Sequence, residues 1–181
     1  MTTLGRVFLL LGLLLASQVA VGQKPSSPGP LIKSITDKYV HSWKKFPSIK
    51  GNRLGSDDLQ VIEPERGFVN VAVFLASWCI PCQQQMSHFQ DLEKKYADRY
   101  TRFIYIFAHD MEEDALAFVK EYKVSGTIIL ANVALMEAFH QPDLPTVYLG
   151  DRHGWLTWRH LAIDEKGLAT LDDLLNSITI F

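Results

Sequence analysis

Two cysteines stand in this 181-residue chain, Cys79 and Cys82, three positions apart. Sulfur pairs at that spacing have a small repertoire: thiol–disulfide exchange, a structural disulfide, or half of a zinc site. Exchange needs one sulfur held as a thiolate, which is the nucleophile, and a second sulfur within reach to displace whatever the first has captured. A helix start supplies the first condition, because its unpaired N–H groups and the positive end of its dipole favour an anion. The i, i+3 spacing supplies the second by placing Cys82 on the helix face of Cys79, close enough for a disulfide. The assignment is therefore Cys79 as the attacking sulfur and Cys82 as the buried resolving one. A zinc site needs a second pair of ligands, and the remaining candidates are scattered histidines. A structural disulfide closing so short a loop removes little unfolded-state entropy, so stability is a poor reason for the pair.

The elements around the cysteines supply that helix start. Val69, Val71, Val73 and Phe74 belong to an apolar run that reads as a buried strand, about Phe68 to Ala76. Cys82, Met86, Phe89, Leu92 and Tyr96 recur on one side of a helix from Cys79 to about Asp98. Pro81 lacks an N–H and suits the first turn of that helix. Further strands are predicted at 102–108, 127–130, 146–149 and 155–161. Helices are predicted from Asp110, with Glu113 as its capping partner, at 133–139, and at 168–178 with Thr170 and Asp173 able to cap it. Gly51 to Gly55 carries turn chemistry, Leu59 to Ile62 a short edge element, and Gly150 to Gly154 a hairpin turn. The alternation gives an α/β fold, a central mixed β-sheet flanked by helices on both faces.

Composition adds boundaries. With 48% apolar residues and a net charge of -2, the chain supports one globular domain. Lys44-Lys45 and Lys94-Lys95 are its only basic blocks, so no nucleic-acid partner is expected. Arg6, the apolar stretch Val7 to Ala16 and the small residues Ala20-Val21-Gly22 make residues 1–22 a signal peptide, or a signal anchor if retained. The apolar run is shorter than the roughly 20 residues that span a bilayer comfortably. Residues 23–50 form a Pro/Ser-rich tether and a short N-terminal extension carrying Ile32, Ile35, Tyr39 and Trp43, and residues 51–181 form the domain. A periplasmic or otherwise exported location follows, with membrane contact only if the leader is retained. Disulfides persist outside the cytosol, which suits a single cysteine pair at a helix start.

Three features, Ser77-Trp78-Cys79-Ile80-Pro81-Cys82 closing an apolar strand, Leu144-Pro145-Thr146 opening another, and a final hairpin and helix, give the stretch from about Leu54 to Phe181 its resemblance to the thioredoxin superfamily. More closely, it resembles the exported TlpA/ResA-like branch. The resemblance implies a thioredoxin-like fold with an αβ insertion, Met111 to Leu130, before the cis-Pro loop. It implies that the Leu144–Pro145 peptide is cis and faces the disulfide. Trp78, Pro81, Leu144 and Pro145 then support the site, and the Leu144 backbone meets an extended substrate by strand addition. It implies a thiol–disulfide oxidoreductase without metal or cofactor, reducing disulfide-containing exported proteins, cytochrome c maturation among the settings, with electrons from a membrane thiol donor. A disulfide-forming oxidase or isomerase is the alternative within the enzyme class, and a non-catalytic binding module with its disulfide permanently closed is the alternative outside it.

Two positions depart from the family. Thioredoxins bury an aspartate where this chain has Val73, and the ResA-like branch often has a glutamate where it has Gln85. Gln85 is the candidate proton-path residue: a neutral amide can hold a water but cannot itself act as a base at ordinary pH, so slower resolution by Cys82, or reliance on solvent or a partner, is expected. Of the six histidines, His88 is expected at the surface and His109 nearest the site. Copper-handling relatives pair cysteines one residue further apart with a distant histidine, so metal delivery is not expected.

Overall fold

The computed structural model describes residues 44–64 and 67–179; the leader, the tether and the expected packing residue Trp43 lie outside them. The elements in chain order are β1 (Ile49–Arg53), β2 (Leu59–Ile62), β3 (Val69–Leu75), α1 (Ile80–Tyr96), β4 (Thr101–Phe107), α2 (Glu112–Tyr122), β5 (Thr127–Leu130), α3 (Val133–Ala138), β6 (Thr146–Gly150), β7 (Leu156–His160) and α4 (Glu165–Thr179). They build one seven-stranded sheet in the order β2-β1-β5-β4-β3-β6-β7. β3, β4 and β5 run parallel, and β1 and β6 join them antiparallel on either side.

β3 is buried at every position because it has strand neighbours on both edges and helices on both faces. Its side chains alternate, as the pleat requires. Val69, Val71, Val73 and Leu75 meet Met86 and Phe89 of α1, Phe118 of α2 and Leu171 and Leu175 of α4. Ala72 and Phe74 meet Leu135 and Met136 of α3 together with Phe46 and Phe139. Burial of each large apolar side chain contributes roughly 1.5–3 kcal/mol, so this strand anchors both layers. The αβ unit expected before the proline loop is present as α2 and β5. Glu93 of α1 reaches the loop between them, accepting from Ser125 Oγ at 3.1 Å, and also accepts from Tyr105 Oη of β4 at 2.9 Å. Burial, reinforced by the Glu93 carboxylate, pushes the Tyr105 phenol up.

The structure departs from the sequence reading at four places. Gly51 lies within a strand and not a turn: a Cβ there would stand 2.5 Å from Ile129 Cγ2 and 2.8 Å from the Leu130 carbonyl oxygen, so the glycine permits a close approach to β5. Phe46 and Ile49 are buried in the core, so the packed unit includes residues ahead of 51. α4 begins before Leu168, at Glu165. Asp164 holds that start by accepting from Gly167 N at 2.8 Å, while Thr170 and Asp173 fall inside the helix. Asp110 does not cap α2, whose N-cap is Met111 without a side-chain bond; its carboxylate turns to the cysteine-bearing turn described below.

Candidate active site

At the end of β3 the chain makes a tight turn, Cys79 N donating to the Ala76 carbonyl at 3.2 Å, and enters α1. Cys79 is the N-cap of that helix, with φ -83° and ψ 101°, and Pro81 stands in its first turn. Cys79 Sγ accepts from Cys82 N at 3.2 Å, so the sulfur occupies the place where a serine or aspartate oxygen usually satisfies a helix N-terminus. An anion there faces free N–H groups and the positive end of the dipole. α1 has no acidic residue in its first turn to oppose it. The two sulfurs are joined as a disulfide, with the Cα atoms 5.2 Å apart.

Exposure orders the pair: Cys79 is 5% exposed and Cys82 1%. Beside them Trp78 is 61% and Ile80 64% exposed, and Met111, which follows the Asp110 bonded to Ser77 of the same turn, adds a third apolar residue to this rim at 71% exposed. Met111 was not read from the sequence as part of this rim, because an exposed methionine between a strand and a helix has no local signature.

The Leu144–Pro145 peptide is cis. Leu144 packs against the cluster that holds both cysteines, and the Pro145 carbonyl accepts from Ile163 N at 2.8 Å. The register of β6 on β3 sets Thr146 against Phe74 and Val147 against Val73, which brings the proline loop to the same end of the sheet as the cysteines. Trp78, Cys79, Pro81 and Cys82 thus share one turn, with Leu144 and Pro145 beside it. Gln85 lies one turn beyond Cys82, half-buried, its Oε1 3.1 Å from His88 Nδ1 on the outer side of α1. Val73 is fully buried among the residues that pack on the cysteines and puts methyl groups where a carboxylate would be needed.

The β4–α2 loop completes the site. His109, with φ 55°, offers its backbone carbonyl, not its imidazole, to Trp78 Nε1 at 3.1 Å. Asp110 accepts from Ser77 N at 2.6 Å and from Ser77 Oγ at 2.7 Å. Gln83 Nε2 donates to the Ser77 carbonyl at 2.7 Å. Among the described residues no group of three or more His, Cys, Asp or Glu side chains is placed to hold a metal ion. A groove of about 490 Å³ between α1 and α4, lined in part by His88, Leu92, Lys95 and Leu168, includes neither cysteine.

A parallel-centred sheet, a cysteine pair capping the first helix after the central strand and a cis proline at the neighbouring strand end define a thioredoxin-fold protein. The chain has the thioredoxin fold, and its sequence is similar to thioredoxin-like and ResA thiol-disulfide oxidoreductases. It is 30% identical over 95 residues to the thioredoxin-like protein YneN of Bacillus subtilis, covering 51% of this chain and 56% of that protein. It is 27% identical over 106 residues to the thiol-disulfide oxidoreductase ResA of Halalkalibacterium halodurans, covering 58% of each. The matched region thus spans somewhat more than half the length of these relatives. A thiol:disulfide interchange protein of the thioredoxin family from Chlorobium tepidum superposes with a TM-score of 0.67 at 18% identity, over 78% of this chain and 99% of that one. No family model matches the chain.

Proposed function

We propose that this protein is a thiol–disulfide oxidoreductase that reduces disulfides of exported proteins through the Cys79–Cys82 pair. The observation that carries the reading is the placement of Cys79 Sγ as the cap of α1, accepting the N–H of Cys82 and bonded to the Cys82 sulfur. In the reduced enzyme the Cys79 thiolate attacks a substrate disulfide, forming a mixed disulfide and releasing one substrate sulfur as thiolate, which takes a proton from water. Cys82 then loses its proton and attacks Cys79 Sγ, releasing the second substrate thiol and leaving the enzyme oxidised. Two electrons and two protons have passed to the substrate. A thiol donor of the membrane reverses the sequence and restores the dithiol. Similarity to ResA and the apolar leader support an extracytoplasmic setting, with cytochrome c maturation as one such use; among the described residues no helix is long and apolar enough to cross a membrane. The exposed rim of Trp78, Ile80 and Met111 suits an extended, apolar substrate segment laid across the turn.

The test is insulin reduction with dithiothreitol together with the equilibrium of the pair against glutathione. Turnover with a strongly reducing couple is expected. A strongly oxidising couple makes the protein an oxidase, and a disulfide inert to both reagents makes it a binding module.

Gln85 makes a second expectation. With Val73 buried and Gln85 neutral, Cys82 has no adjacent carboxylate at either family position to take its proton. Gln85→Glu should accelerate resolution of the mixed disulfide by about a hundredfold at neutral pH, the low end of what a positioned base supplies, and make the rate depend on the new carboxyl's ionisation. Stopped-flow measurement of resolution against pH reads both; identical rates and profiles for the two proteins would remove position 85 from the proton path.

A further inference from the structure

The Ser77 peptide unit, two residues before the attacking sulfur, is held at each of its polar atoms by a side chain from elsewhere in the fold. Asp110 takes its N–H at 2.6 Å and its hydroxyl at 2.7 Å, and Gln83 of α1 takes its carbonyl at 2.7 Å. Next to it the Trp78 indole is fixed on the His109 carbonyl at 3.1 Å. Two of these partners, His109 and Asp110, come from one short loop after β4, and His109 holds it in the left-handed region that a non-glycine residue seldom adopts. Charge-assisted bonds to a carboxylate are stronger than neutral ones. A capping role for α2 would have explained Asp110, but that helix begins without it.

We infer that Asp110 is a positioning residue for the redox pair: by clamping Ser77 it sets where Cys79 Sγ lies relative to the N–H and sulfur of Cys82. The pair's preference for the closed form depends on the effective concentration of one sulfur at the other, and a rigid turn raises it. Loosening the turn leaves both thiols intact but weakens the ring closure that drives release of a reduced substrate. The inference rests on the redox reading only in requiring that the Cys79–Cys82 bond open and close reversibly.

Asp110→Ala and Asp110→Asn, each equilibrated as purified protein against glutathione, separate geometry from charge. Asparagine still accepts from Ser77 N and can donate to Ser77 Oγ, so it retains the clamp without the charge. The alanine variant is expected to shift the constant toward the dithiol by at least about tenfold, about 30 mV, and to lengthen the life of the mixed disulfide to the same degree. The asparagine variant should stay within about threefold of the parent. An alanine variant within twofold of the parent overturns the inference, even if its melting temperature falls, and so does an asparagine variant as impaired as alanine. Should the alanine variant not fold, Ser77→Ala, which deletes only the hydroxyl bond, must shift the constant in the same direction by about threefold; no shift overturns the inference equally. Because the glutathione equilibrium needs no protein substrate, a parent that fails to reduce insulin yet exchanges with glutathione counts against the proposed function and leaves this test intact.

Discussion

Replacing Cys79 by serine is expected to lower disulfide exchange by about a thousandfold or more, since a hydroxyl at its ordinary pKa is a far weaker nucleophile than a thiolate. Replacing Cys82 by serine should instead leave a protein that still attacks and then stays joined to its target. The asymmetry follows from the cap: only Cys79 Sγ sits at the helix start, accepting an N–H at 3.2 Å, while Cys82 is 1% exposed and meets only what Cys79 delivers. Non-reducing electrophoresis and intact-mass measurement of each variant with a disulfide-containing peptide will read the result. A stable adduct on the Cys79→Ser variant, with none on Cys82→Ser, reverses the order of attack assigned here.

Phe139→Ala should cost about 3–5 kcal/mol, a large part of the roughly 5–15 kcal/mol by which such domains are stable. Phe139 is fully buried on the face opposite the cysteine-bearing helix. Its ring lies 4.9 Å from those of Phe74 and Tyr148 and 5.9 Å from that of Phe46, and its carbonyl accepts the Tyr148 hydroxyl at 2.6 Å. Deleting the ring removes transfer energy and leaves a gap beside Phe46 and beside Phe74 and Tyr148, which cannot close it without giving up their own edge-to-face contact at 5.6 Å. Phe139 also stands six positions before Pro145, so the disturbance should reach the proline loop and slow exchange as well as lower the denaturation midpoint. A loss under about 1 kcal/mol at an unchanged denaturant slope would show that these rings do not act as one packed unit.

The strongest readings came from local spacing. β3 and α1 were legible because periods of two and 3.6 are properties of one short segment. Cys79 fell at a helix start for the same reason, a strand pattern giving way to a helix pattern at that residue. The loop around Leu144 and Pro145 came from resemblance, and the cis bond is present in the structure. Less legible were residues whose partners are remote. Asp110 followed by Glu113 looks in one dimension like a helix cap, and the fold instead gives that carboxylate to Ser77, 33 positions away. Gly51 among Asn52 and Gly55 looks like a turn, and the sheet instead needs a residue without a side chain there.

By itself, then, the chain's order of residues determined an α/β layering, the cysteine pair at the mouth of its helix and the identity of the two sulfurs, because these depend on intervals of a few residues. Which side chains brace that mouth was decided only in three dimensions. β4 lies parallel to β3 with Leu75 against Phe107, and that register, closed by hydrogen bonds along the whole length of both strands, carries His109 and Asp110 to Trp78 and Ser77.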